Sequence, residues 1–343
     1  MSGAGRVVRI DPAAGIAGGE VVIECEGLDR EDVRSCRVMF GDERAWLVGA
    51  SPRRMLAIVP ELDGGHVVEV TLTKGDATRG IGATMTVGAK LADDLHLVAN
   101  PAFDSEDGSL YVTRSGSRGQ RMPVSLLRID ADGQLSTMHG EIVNPTGIAF
   151  DASGQMFVTS RMDGTVYRVT PFDDVEAFAK NLGVATGLAF DREGLMYVGD
   201  RSGTIHRVNG IGEAEEWASL EPSVAAYHLA FGPDNALYVT GPTVSSFDAV
   251  TRIDRDGDAE VFYRGLGRPQ GLAFDRGGNL YVAASLRGRR GIVRISPDGT
   301  DAQLVVAGVN VVGLAFSATG DMAVATNEAI YSLPLGIYGT LLN

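Results

Sequence analysis

The chain has 343 residues, 44% of them hydrophobic, and a formal net charge of −14 at pH 7. That length and apolar content suffice for more than one buried core. The acidity argues against nucleic acid or anionic membrane as a partner, because phosphate contacts need Lys and Arg in excess. No apolar run approaches the roughly 18 residues of a membrane helix, and the opening MSGAGRVVRI lacks an apolar stretch behind a basic one. A soluble, cytoplasmic protein is expected.

Residues 6–88 alternate as short strands broken by Gly and Pro. VVRI, EVVIECEGL, CRVMFG, AWLV, MLAIVP, HVVEVTLT and ATMTV make seven runs rich in Val, Ile and Thr, the pattern of a two-sheet sandwich. Cys25 and Cys36 sit in no CxxC arrangement and read as two buried thiols on neighbouring strands, not as a zinc site. The punctuation at Ile10, Pro12, Gly15, Gly18, Gly19, Gly27, Gly41, Pro60 and Gly64 resembles the TIG (IPT) immunoglobulin-like fold. That resemblance implies a spacer or protein-contact module without a catalytic site.

The remainder repeats itself. NPAFDSEDGSLYVTRS, PTGIAFDASGQMFVTSR, ATGLAFDREGLMYVGDR, YHLAFGPDNALYVTG, PQGLAFDRGGNLYVAAS and VVGLAFSATGDMAVATN carry marker phenylalanines at 103, 150, 190, 231, 274 and 316, 40 to 47 residues apart. A period near 40 with four strands per unit predicts propeller blades. In each unit GLAF is the inner strand a, D-x-x-G a tight turn, and LYV strand b. Strand c is typified by Thr165–Val169 and strand d by residues 261–263. The aromatics Tyr111, Phe157, Tyr197, Tyr238 and Tyr281 read as packing between blades. The fold class is all-β: an immunoglobulin-like sandwich over residues 1–88, then a six-bladed β-propeller over 89–343. The sixth blade takes its outer strand either from residues 84–91, the preferred reading, or from 337–342.

The G-[LI]-A-F-D-x-x-G units resemble NHL repeats and the propellers of the gluconolactonase/senescence-marker-protein family. That resemblance implies a divalent metal such as Ca²⁺ on the propeller axis, held by Glu, Asn and Asp at the starts of strand a. The matching positions, four residues before each marker Phe, are Ala99, Thr146, Thr186, Tyr227, Gln270 and Val312. None is a carboxylate, which a hard cation favours above all. No cofactor is therefore predicted; Ca²⁺ or another divalent metal enters only with an enzyme reading, and Asn100 is then the candidate ligand. His228 stands where most blades have Gly, and as the one His at the expected mouth it is the candidate general base.

Blade topology puts b–c and d–a loops on the face where strand a begins. Those loops carry Arg114, Arg118, Arg121, Arg161, Arg201, Arg268, Arg287, Arg289 and Arg290, while the opposite face collects Asp104, Asp151, Asp191, Asp234, Asp275 and other turn-forming acids. Arg is no requirement of a turn, and its planar fork suits carboxylate or phosphate. The expected function is therefore binding of a small anionic molecule or an acidic protein surface. The expected site comprises Thr146, Thr186, Tyr227, His228, Gln270, Arg114, Arg161, Arg201 and Arg287. The alternatives are a lactone or ester hydrolase, as the family resemblance implies, and a pure protein-interaction scaffold, which an apolar, plugged axial channel would favour.

Overall fold

Runs rich in β-branched residues and cut by turn formers give strands almost throughout the chain. The computed structural model describes residues 5–74, 77–116, 125–138, 141–170, 174–245 and 248–340. In the first part, Arg6–Asp11, Glu20–Glu26, Arg54–Ile58 and Trp46–Ala50 pair in that order as one antiparallel sheet. Ala77–Val87, His66–Lys74, Arg37–Phe40 and Glu43–Arg44 make a second. Ile23, Met55, Phe40, Val70 and Leu72 from the two sheets share one core. The strand pattern gives no hint of the helix Arg30–Ser35. Asp29 caps it, taking Asp32 N at 2.7 Å, while the Asp32 carboxylate takes Asp29 N at 3.4 Å. Cys25 and Cys36 are buried and not joined by a disulfide, and burial, with Cys36 adding, pushes the Cys25 thiol up to about 11.

Six four-stranded antiparallel units follow. Their inner strands are Ala102–Phe103, Pro145–Phe150, Ala185–Phe190, His228–Phe231, Leu272–Phe274 and Val311–Phe316, each against the next around a ring. Successive blades are joined by aromatic pairs. Phe150 meets Tyr111, Phe190 meets Phe157, Phe231 meets Tyr197, Phe274 meets Tyr238 and Phe316 meets Tyr281, with ring centroids 4.8–5.5 Å apart. The seam between blades six and one has Ala323 where the others have Tyr or Phe. It closes differently: Ala89–Ala92 is the outer strand of blade six, antiparallel to Ile330–Pro334.

The C-terminal segment supplies no blade strand among the described residues. It crosses the turn face instead, where Arg276 N donates to Tyr338 O and Thr340 N to Phe274 O; Leu342 lies outside the described residues. In blades one, two, three and five the a–b turn is closed by its own Asp, as where Asp151 Oδ1 accepts Ser153 N at 2.8 Å and Gln155 N at 3.0 Å, while in blade six Ser317 Oγ accepts Asp321 N at 2.9 Å. The two D-x-D-G segments are the same device: Asp130 Oδ1 accepts the amides of 132 and 134, and Asp254 Oδ1 those of 256 and 258.

The two parts are spliced. Ala14–Gly15 runs parallel to Ala77–Val87 on one side and to Ala302–Ala307, the outer strand of blade five, on the other. Ala307 belongs to the sandwich core and Ile16 to the core of blades five and six. Arg289 Nη1 reaches Asp11 Oδ2 at 2.6 Å across the same junction.

Candidate functional site

Besides Asp248 Oδ2 and Arg289 Nε, groups with unspent bonding capacity stand in two regions of the ring among the described residues. The first is the face where strand a begins, at blades one to three. Arg114 ends strand b of blade one, half-buried, and its Nε has no partner. Arg161 N donates to Asn144 O at 3.3 Å, and its Nη2 to Gly116 O at 3.1 Å. Burial, and then the neighbouring Arg201, hold the Arg161 guanidinium below its usual range. Among the described residues no carboxylate pairs with Arg114, Arg161 or Arg201. Asn144 Oδ1 and Thr146 Oγ1, at the entry to blade two, are buried without a partner. Arg118 and Arg121 lie outside the described residues.

Other expected site residues are committed elsewhere. Thr186 Oγ1 donates to Gly199 O at 3.0 Å and accepts Tyr227 N at 3.1 Å. In blades one, two and four the last Thr of strand b, at 113, 159 and 240, donates to the carbonyl of 146, 186 and 270 in the next blade. Blade three has Gly199 in place of that Thr. The Tyr227 ring takes up the room, since a Cβ on Gly199 would come 2.9 Å from Tyr227 Cβ. Tyr227 is 3% exposed, its hydroxyl donates to Glu221 O, and burial with Glu221 and Asp200 nearby pushes it up to about 12. Thr186 and Tyr227 thus fasten blade three to blade four.

The arginines do not form one rim. Gln270 lines a separate cleft of about 490 Å³ with Arg268, Ser285, Arg290 and Asn310. Arg287 lies farther out, in a groove it shares with Arg9 and Arg289 against the sandwich. Asp11 pairs with Arg289 and so takes it out of play.

The axis itself is plugged, as the scaffold alternative expects, but by the polar side chains of Asn100 and His228. Asn100 reaches from blade one to blades five and six, Nδ2 donating to Leu272 O at 2.9 Å and Oδ1 accepting Leu314 N at 3.0 Å. A Cβ on Gly271 would lie 1.9 Å from that Oδ1, so glycine is required there. His228 enters from blade four, opposite in the ring. It is 3% exposed, its Nε2 has no partner, and burial pulls its pKa down to about 4. Below these two lies the second region, a cavity of about 260 Å³ opening toward the turn face. Six alanines, 102, 149, 189, 230, 273 and 315, line its wall, with Ser105, Asp151, Gly339 and Thr340 at its mouth. The sequence carried this lining openly, as the Ala of every GLAF unit, but gave no sign that the cavity faces the turns.

An axial divalent metal does not fit these residues. The six positions before the marker phenylalanines offer no carboxylate, the Thr186 and Tyr227 oxygens are committed, and both ends of the Asn100 amide are bonded. Among the described residues no three His, Cys, Asp or Glu side chains gather as a metal-binding group.

No protein-family model matches the sequence, and no curated protein matches it. Solved structures do match. An auxiliary nutrient binding protein from Bacteroides thetaiotaomicron is 12% identical, with 96% of this chain and 97% of that one covered at a TM-score of 0.56. A gluconolactonase from Xanthomonas campestris is 19% identical, with 76% and 90% covered and a TM-score of 0.57. A streptogramin B lyase is 14% identical, with 77% and 86% covered and a TM-score of 0.51. At these identities the likeness is one of fold, and the fold is shared by a binding protein, a lactonase and a lyase.

Proposed function

We propose that this chain is a binding protein that takes a small, hydroxyl-rich carboxylate, such as a sugar acid, at the mouth of blades one to three. The observation that carries the reading is Arg161, half-buried beside the exposed Arg201, with no carboxylate paired to either among the described residues. Like charges held together in a partly dry site raise the energy of the free protein, and an anion lowers it. Arg114 Nε, Asn144 Oδ1 and Thr146 Oγ1, buried without partners, are a donor and two acceptors that side-chain rotation would offer to the hydroxyls of such a ligand. The first 88 residues are read as a TIG (IPT)-like spacer, and residues 89–343 as an NHL-like ring that does the binding.

The test is calorimetric titration of D-gluconate, D-glucuronate and inorganic phosphate. At least one of the two sugar acids binds, more weakly as salt rises, and Arg161→Ala with Arg201→Ala weakens it at least tenfold, since each charge-assisted bond contributes about 1.5–3 kcal/mol. Unchanged affinity in the double variant, or no binding of any probe, removes the reading. Binding of phosphate alone removes the sugar-acid assignment.

A further inference from the structure

We infer that the axial cavity on the turn face is a second binding site, for a compact neutral molecule with an apolar, ring-sized body and one hydroxyl group. It is separated from the arginine mouth by the Asn100 and His228 plug and does not rest on the anion reading. Three features of the cavity select this chemistry.

Its size comes first. At about 260 Å³ it exceeds the roughly 150 Å³ of an engineered apolar cavity that holds benzene. The wall comes second. Among the described residues, the six alanine methyl groups and the inner strands leave Asp151 as the one charged side chain along it, and the Asp151 Oδ1 is already taken by backbone amides. A carboxylate ligand finds no cation here, and a cationic ligand finds only a carboxylate engaged in its own turn. An anion loses hydration there without a partner, and a cation finds its one counter-charge, Asp151, at the mouth and not against the apolar body of the cavity.

The inner end comes third. His228 lines it, 3% exposed, with Nε2 lacking any partner. The imidazole is neutral at pH 7, since burial draws its pKa to about 4. A neutral ring nitrogen is a donor or an acceptor according to tautomer. A hydroxyl donates and accepts, so it satisfies Nε2 in either case. The lining is mainly Ala, Phe, Leu and Gly, with Asn100, Ser105, Asp151, His228 and Thr340 as its polar side chains, and apolar walls with a few placed polar groups are the usual form of a small-molecule pocket. Entry lies between Ser105 and Asp151, because Gly339 and Thr340 occupy the other side of the mouth and are fastened there by the Thr340 N to Phe274 O bond.

Cyclohexanol and methylcyclohexane, alike in shape and different in the hydroxyl, test the assignment. Each is titrated into the full chain while the histidine ring signals are followed by ¹H–¹³C NMR, with His228→Leu identifying the signal of 228. Cyclohexanol moves that signal saturably, and methylcyclohexane binds at least tenfold more weakly. Ala189→Leu, which fills the wall, abolishes the effect, whereas Arg161→Ala with Arg201→Ala leaves it intact. Should the leucine variant fail to fold, the wild-type titration decides alone. A His228 signal that stays fixed up to the solubility limit, or equal binding of both molecules, overturns the assignment.

Discussion

His228 sets a pH dependence that a free histidine lacks. Its pKa falls from 6.5 to about 4 on folding, so the unfolded chain takes up a proton across a range where the native chain refuses it. Stability from this residue is present in full above pH 6.5 and is lost as pH falls toward 4. The shift corresponds to roughly 3 kcal/mol at pH 4. In urea unfolding from pH 7 to pH 4, His228→Leu therefore gains on wild type by roughly that amount. Parallel pH profiles for the two proteins would count against a neutral, buried ring.

Asn100 acts between elements. Its amide ties the inner strand of blade one to blades five and six, beside the one seam without an aromatic pair. Asn100→Ala leaves the Leu272 carbonyl and the Leu314 amide unmatched, a loss of about 2–4 kcal/mol measurable by urea unfolding. A change below about 0.5 kcal/mol would mean that water replaces the amide without cost. The blades were legible because each unit repeats the same alternation, turn and aromatic, and repetition averages out local ambiguity. The helix Arg30–Ser35 was not, since its capping Asp29 and Asp32 sit in a stretch with no repeat to compare. Loop topology predicts one arginine face, but Arg287 and Arg289 stand in a groove of their own beside Arg9 and Asp11. What each residue touches was not legible: Tyr227 in the space of a missing Thr side chain, and Arg289 paired to Asp11, are long-range facts with no local signature.

At the scale of the molecule, sandwich and ring exchange residues across their junction. Ala307 lies in one core, Ile16 in the other, and Arg289 bridges to Asp11. Such reciprocal packing predicts one cooperative thermal transition in scanning calorimetry, with calorimetric and van't Hoff enthalpies in agreement. Gly19→Val, whose Cβ would fall 2.5 Å from Ala307 O, splits that transition in two. Two transitions in the wild type would show the junction to be weak. The strand that closes the ring also ties folding to the order of synthesis. Ala89–Ala92 leaves the ribosome early, but its mate Ile330–Pro334 arrives about 240 residues later. Until then the blade edge stays open, as an unpaired strand prone to joining other chains. A chain cut short of residue 330 keeps that edge for good, so ring closure doubles as a check that the sixth blade has been made.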